Sequence, residues 1–283
     1  MHLISFIRAG RPGFGCLQDR GIIDLSALLG GRFADLRAVL SADALPLLAE
    51  TAAGRKPDFA AADVTFLPVI ANPGKIMCIG LNYAAHAAET KRPVAPHPTV
   101  FTRFADCQIG HGQALVIPKV SDCLDWEGEM AVIIGRGGRY IAPEAALSHI
   151  AGYSIYNDAS VRDWQRHTSQ FTPGKNFSAT GAFGPALVTA DEIPDYTELR
   201  LTTKVNGEVR QQGHLADLIY SVPQLIAYCS SFTPLCPGDV IVTGTPAGVG
   251  EQRHPPLYLH AGDLVEIEIP GLGKLGNPVI KEM

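Results

Sequence analysis

Apolar positions along this chain fall into short alternating or continuous runs more often than into helical stripes. His2–Ile7 and Gly21–Leu25 alternate as strands do, whereas Phe33–Leu48 places Leu36, Val39, Leu40 and Leu47 at helical spacing. Thr51–Asp63 is small and polar, and Phe66–Pro73 reads as a linker. Together they predict a boundary near residue 70, between a small N-terminal α+β unit (1–70) and a larger one (71–283).

Beyond that boundary Ile76–Gly80, Ala131–Ile134, Asp239–Val242 and Leu264–Ile269 read as strands. Gly135–Gly138 predicts a hairpin turn into Arg139–Ile141, and Asn206-Gly207 predicts another between Leu199–Val205 and Glu208–Gln211. Only two helices stand out past residue 80. One begins at about Tyr83; the other spans Val222–Phe232, where Val222, Leu225, Ile226, Cys229 and Phe232 share a face behind the N-cap candidate Ser221. Many short strands with few helices predict an α+β, β-rich fold, a barrel or sandwich with peripheral helices.

The 283 residues are 46 % hydrophobic and 18 % charged, enough to bury a sizeable core. Lys plus Arg is 23 against 28 for Asp plus Glu, a net charge of −5, which supplies no phosphate-neutralising stripe. Nucleic acid is therefore not an expected partner, and no apolar run approaches the roughly 18 residues of a membrane span. The first ten residues, MHLISFIRAG, lack the order of a secretory signal, and six scattered cysteines form no C-x-x-C pair. The expectation is a cytoplasmic protein with reduced thiols.

Candidate chemistry concentrates in Asp125-Trp126-Glu127-Gly128-Glu129-Met130, which runs into the apolar strand. Residues two apart in a strand share a face, so Glu127 and Glu129 sit side by side and repel unless one is protonated or a cation intervenes. An E-x-E pair is commonly just a solvated face. Here, however, Gly128 permits close approach between the glutamates, and Asp158 ends another strand-like run, Gly152–Asn157. Three carboxylates favour a hard ion, Mg²⁺, Mn²⁺ or Ca²⁺, over zinc. Upstream, His86 and Glu89 lie three apart in an alanine-rich helix; such a pair is either a surface ion pair or an oriented general base.

These pieces resemble the fumarylacetoacetate hydrolase family. The motifs are GLNYAAHAAE (80–89), DWEGEMAVIIG (125–135), GYSIYNDASVRDWQ (152–165), PGKNF (173–177) and VTGTPAGVG (242–250), in family order. The resemblance implies a mixed β-roll catalytic domain, usually homodimeric, with a smaller N-terminal unit. It implies Mg²⁺ or Mn²⁺ ligands at Glu127, Glu129 and Asp158, with Ca²⁺ as a substitute. It places a water-activating pair at His86 and Glu89 and an active-site lysine at Lys175. Arg162, Gln165, Gly244 and Thr245 match substrate-contacting positions. Where many members carry F-x-K after the lid, this chain has Phe101-Thr102-Arg103, which makes Arg103 a further substrate-binding candidate with a planar fork instead of a point charge.

The reaction so implied is hydrolysis of a carbon–carbon bond in a 2,4-dioxo acid of acylpyruvate type, giving pyruvate and a second acid. Polar lid residues such as Thr90, Lys91, Arg92, Thr102 and Arg103 point to a hydroxylated tail, as in a 2,4-didehydro-3-deoxy sugar acid of sugar-acid catabolism. The same site supports decarboxylation, isomerisation or ureidoglycolate-type cleavage. A non-catalytic metal-dependent binding protein is the alternative from another class.

Overall fold

A computed structural model describes residues 1–19 and 21–283. The dominant element is a mixed sheet of twelve strands among the described residues. Its path runs Phe59–Ala60, Gly21–Ile23, Arg11–Gln18, His2–Arg8, Gly181–Thr189, Ile150–Asp158, Gly128–Ile134, Val240–Val242, Ile76–Gly80 and Thr99–Arg103. Five strands form a second sheet, ordered Glu208–His214, Arg200–Val205, Leu264–Ile269, Gly273–Lys281 and Leu115–Ile117. The strand-rich α+β expectation holds, but neither sheet closes into a barrel.

The two central strands explain the arrangement. Every residue of Gly128–Ile134 and of Ile150–Asp158 is buried, so these strands are covered on both faces. Met130, Val132 and Ile134 point into a core shared with the second sheet, through Leu201, Val205, Val265 and Ile267. Ala131 and Ile133 point the other way, into a core built with Leu3, Phe14, Leu36, Val39, Tyr156 and Phe183. Glu127 and Glu129 belong to this second face by the two-residue period. The N-terminal segment thus covers the far end of the face whose near end carries the carboxylates, and His2–Arg8 pairs directly with Gly181–Thr189.

Several local expectations change. The helix expected over Phe33–Leu48 is two, Leu36–Ser41 and Leu45–Ala52. Asp35 caps the first and Pro46 begins the second, because proline has no N–H to continue a preceding helix. Phe66–Pro73 is no solvated linker: Val69 and Ile70 are buried, and the Ser5 hydroxyl donates to the Val69 carbonyl at 2.8 Å. Arg139–Ile141 forms no hairpin strand. Its Tyr140 and Ile141 amides instead donate to Ser230, at the end of the Val222–Phe232 helix. Phe232 of that helix is exposed, while Val222, Leu225, Ile226 and Cys229 are buried. One-turn helices at Arg162–Gln165 and Thr172–Lys175 were not legible. The Asn206-Gly207 turn is as expected, with φ of +53° and +80°, the two positive values of a tight hairpin. Cys16, Cys78, Cys107 and Cys229 are buried free thiols. No helix among the described residues is long and apolar enough to cross a membrane.

The close approach expected at Gly128 comes from the second sheet. A Cβ there would lie 2.1 Å from Thr203 Oγ1. Gly128→Ala should therefore cost about 1–3 kcal/mol, the usual range for overpacking, and Thr203→Ala should recover part of it. Denaturant midpoints of the two single variants and the double variant check this.

Candidate active site

Antiparallel pairing assembles the carboxylates. Gly128 faces Asn157 and Glu129 faces Tyr156, which brings Glu127 opposite Asp158; the Asp158 amide donates to the Glu127 carbonyl at 2.9 Å. One oxygen from each of Glu127, Glu129 and Asp158 lies within 4.8 Å of the others, and all three residues are buried. Among the described residues this is the one Asp/Glu/His/Cys group with ligating spacing.

Three buried cations surround it. Lys175 Nζ donates to Glu127 Oε2 at 2.8 Å and to Asp158 Oδ2 at 2.6 Å. Arg162 spans Asp125 Oδ2 at 2.8 Å and Glu127 Oε1 at 2.6 Å. Arg103 donates to Asp158 Oδ1 at 2.6 Å, to the Ala159 carbonyl at 3.0 Å and to Thr180 at 2.7 Å. Counting Asp125, four carboxylates face three cations, and the charge left over falls on Glu129. Burial, followed by the charges of Asp158 and Glu127, pushes the Glu129 carboxyl well above its ordinary range, despite a 2.5 Å hydrogen bond from the Gly244 amide. Burial acts on Glu127 in the same direction, but Lys175 and Arg162 outweigh it and hold this carboxyl at about 2. Oxygen-only donors with unbalanced negative charge suit a hard divalent ion.

The dyad forms as expected: His86 Nδ1 lies 3.1 Å from Glu89 Oε2 within the Ala84–Glu89 helix. The second Glu89 oxygen accepts from the Gly248 amide at 2.9 Å, which fixes the carboxylate and through it the ring. With Nδ1 engaged, Nε2 is the nitrogen free to exchange a proton. His86, Glu127, Glu129, Arg162, Gln165, Lys175 and Thr245 line a single cavity of about 200 Å³.

Of the substrate-binding candidates, Arg162, Gln165 and Thr245 line the cavity, whereas Arg103 and Gly244 do not. Arg103 is buried behind Asp158 and does not line the cavity, so here it props a carboxylate. Gly244 spends its amide on Glu129; its φ of +105° and the 2.7 Å that would separate an added Cβ from Asn82 leave room only for glycine. The Thr245 hydroxyl donates to the Gly128 carbonyl at 2.9 Å and accepts from Gln211 at 2.8 Å. Gln165 accepts from Arg162 at 3.0 Å.

Residues without an assigned role turn out to hold the site together. Asp125 accepts from the Gly250 and Glu251 amides as well as from Arg162. Gln211 bridges Gly128, Thr245 and Pro246, and Asn82 ties the Thr243 carbonyl to Tyr220. Asp125 stood in the most informative motif. Gln211 and Asn82 are single polar residues whose partners are distant in sequence, and nothing local marks them.

Residues 75–280 match the fumarylacetoacetate (FAA) hydrolase C-terminal family. Bovine mitochondrial oxaloacetate tautomerase FAHD2A is 40 % identical over 238 residues, which cover 83 % of this chain and 76 % of the bovine protein. The fumarylacetoacetate hydrolase of Exiguobacterium antarcticum superposes over 100 % of both chains with TM-score 0.84 and 33 % identity. Maleylpyruvate hydrolase from Sphingobium sp. SYK-6, solved with manganese(II) and pyruvate, likewise covers 100 % of both chains with TM-score 0.84 and 26 % identity.

Removing Arg103 would leave Asp158 Oδ1 without its buried partner. Arg103→Met should destabilise the fold by about 3–5 kcal/mol, the range for breaking a buried pair. Added to Asp158→Asn it should cost much less than the sum of the two single changes; urea denaturation of the double-mutant cycle reads both. This chain belongs to the fumarylacetoacetate hydrolase family.

Proposed function

We propose that this chain carries out enolate chemistry on a small 2-oxo acid, and that its reaction is interconversion of the keto and enol forms of an oxaloacetate-type acid. The observation that carries the reading is the Glu89-anchored His86, which shares a cavity of about 200 Å³ with Glu127, Glu129 and Lys175. The 40 % identity to an oxaloacetate tautomerase supports the choice of reaction.

Glu127, Glu129 and Asp158 would hold the divalent ion, Mg²⁺ or Mn²⁺, which when bound supplies Lewis-acid stabilisation of enolate charge. His86 Nε2 takes a proton from the carbon next to the 2-oxo group, and Glu89 stabilises the imidazolium that forms. The same nitrogen, or solvent, returns a proton to the oxygen, so no atom is gained or lost. The Lys175 ammonium, kept charged because Asp158 and Glu127 outweigh its burial, adds positive charge where the enolate develops. Arg162 lines the cavity with an Nη2 that has no protein partner.

Carbon–carbon hydrolysis of an acylpyruvate is the second reading. The His86–Glu89 pair favours it, because a base so oriented can equally deprotonate water, and the fold is shared with a maleylpyruvate hydrolase. The experiment supplies oxaloacetate, acylpyruvates and a 2,4-didehydro-3-deoxy sugar acid with Mg²⁺, with Mn²⁺ and with chelator. Faster loss of enol absorbance with total oxaloacetate conserved supports tautomerisation. Pyruvate plus a second acid from an acylpyruvate puts hydrolysis first, and carbon dioxide from oxaloacetate puts decarboxylation first.

His86→Ala should lower kcat by roughly 10²–10⁴ while leaving divalent-ion binding intact, as judged by kinetics and by titration calorimetry. A raised Glu129 carboxyl also couples ion binding to pH. Because the protonated form must lose its proton to serve as a ligand, affinity should rise with pH, with proton release on binding. Calorimetry in buffers of different ionisation heat measures that release.

A further inference from the structure

We infer that Arg92 reads the far carboxylate of a diacid substrate. This role presupposes the 2-oxo-acid reading above and adds a means of telling a diacid from a monoacid. Four cations line the cavity: Arg92, Arg162, Arg166 and Lys175. Arg162 is paired with Asp125 and Glu127, Lys175 with Glu127 and Asp158, and Arg166 with Glu251 at 2.5 Å. Among the described residues Arg92 alone of the four has no carboxylate at ion-pair distance, so its charge is available to a ligand.

Arg92 is held in place by backbone geometry. The helix bearing His86 and Glu89 ends with Lys91 at φ +55°, and the Lys91 amide donates to the Ala88 carbonyl at 3.1 Å. The Arg92 amide then donates back to the Ala87 carbonyl at 3.0 Å. Crossed bonds of this kind are a common helix ending with a left-handed residue. The dyad and Arg92 are therefore carried by one short element. Farther along the lid, the Tyr220 hydroxyl donates to the Ala95 carbonyl.

The side chain completes a wall with a cation at each end. The Arg92 guanidinium carbon lies 5.5 Å from the Phe171 ring centroid, and Phe171 meets Phe101 edge-on at 5.6 Å. Lys175 Nζ lies 5.1 Å from the Phe101 centroid. A short diacid matches that wall, with its 2-oxo-acid end toward Lys175 and the carboxylate triad and its other carboxylate toward Arg92. A planar guanidinium suits that second contact, since it can donate two parallel hydrogen bonds to one carboxylate. A monoacid such as pyruvate offers Arg92 nothing.

The test is binding, not turnover. Titration calorimetry of the full chain with Mg²⁺ compares 3,3-difluorooxaloacetate, a diacid with no enolisable hydrogen at C3, with pyruvate. The wild-type protein should prefer the diacid, and Arg92→Gln should reduce the ratio of the two Kd values by about 10-fold or more, the size of one charge-assisted hydrogen bond. Arg92→Lys should restore part of the preference. The crossed bonds use main-chain atoms, so either variant should keep the wild-type melting temperature. An unchanged ratio, equal weakening of both ligands, or a wild-type protein without preference would overturn the role of Arg92. A preference for the diacid that depends on Arg92, with no acceleration of tautomerisation, would uphold it and sink the proposed reaction instead.

Discussion

The structure depends on one arrangement: carboxylates at the ends of two strands that are buried on both faces. Asp125, Glu127, Glu129 and Asp158 are all withdrawn from water, which is costly for each one unless compensated. Lys175, Arg162 and Arg103 supply that compensation from three different segments of the chain. The compensation is incomplete, and that incompleteness is what makes the site receptive to a further positive charge. A fully neutralised cluster would hold the fold together and bind nothing.

The packing around the strands follows from the same constraint. Gly128 sits between the two glutamates because Thr203 of the second sheet presses against it, and a side chain there would push the sheets apart. Gly244 is held against Asn82 so that its amide can reach Glu129. Gly128 leaves room for the Thr203 side chain, and Gly244 lets its amide reach a carboxylate. The N-terminal segment extends the sheet and covers the apolar half of the carboxylate face, which keeps water from the strands behind the site.

In the proposed reaction the carboxylate cluster would act from the central strands and the His86–Glu89 pair from a short helix. Glu129 and Asp158 lie in paired strands of the main sheet, and Glu127 immediately precedes one of them. His86 and Glu89 ride on a helix of six residues, fixed at the base by the hydrogen bond from Gly248 to Glu89. The enolate chemistry proposed above would use both parts, a fixed positive environment for the developing charge and a base that can approach a carbon or a water.

Much of this was legible in the sequence, because it rests on local rules. The two-residue period put Glu127 and Glu129 on one face, the three-residue helical spacing joined His86 to Glu89, and Asn206-Gly207 marked its hairpin. Motif order added Asp158 and Lys175 to the same site. Tertiary structure alone decided the rest. It turned Arg103 away from the cavity and onto Asp158, committed the Gly244 amide and the Thr245 hydroxyl to the protein, and recruited Gln211 and Asn82. It also left the sheets open and buried Val69 and Ile70 in a stretch that reads as a linker. A sequence displays what neighbours along the chain can do to one another. Which buried charge meets which, and which donor is left over for a ligand, is settled only when segments a hundred residues apart are packed together, since desolvation and pairing act through space.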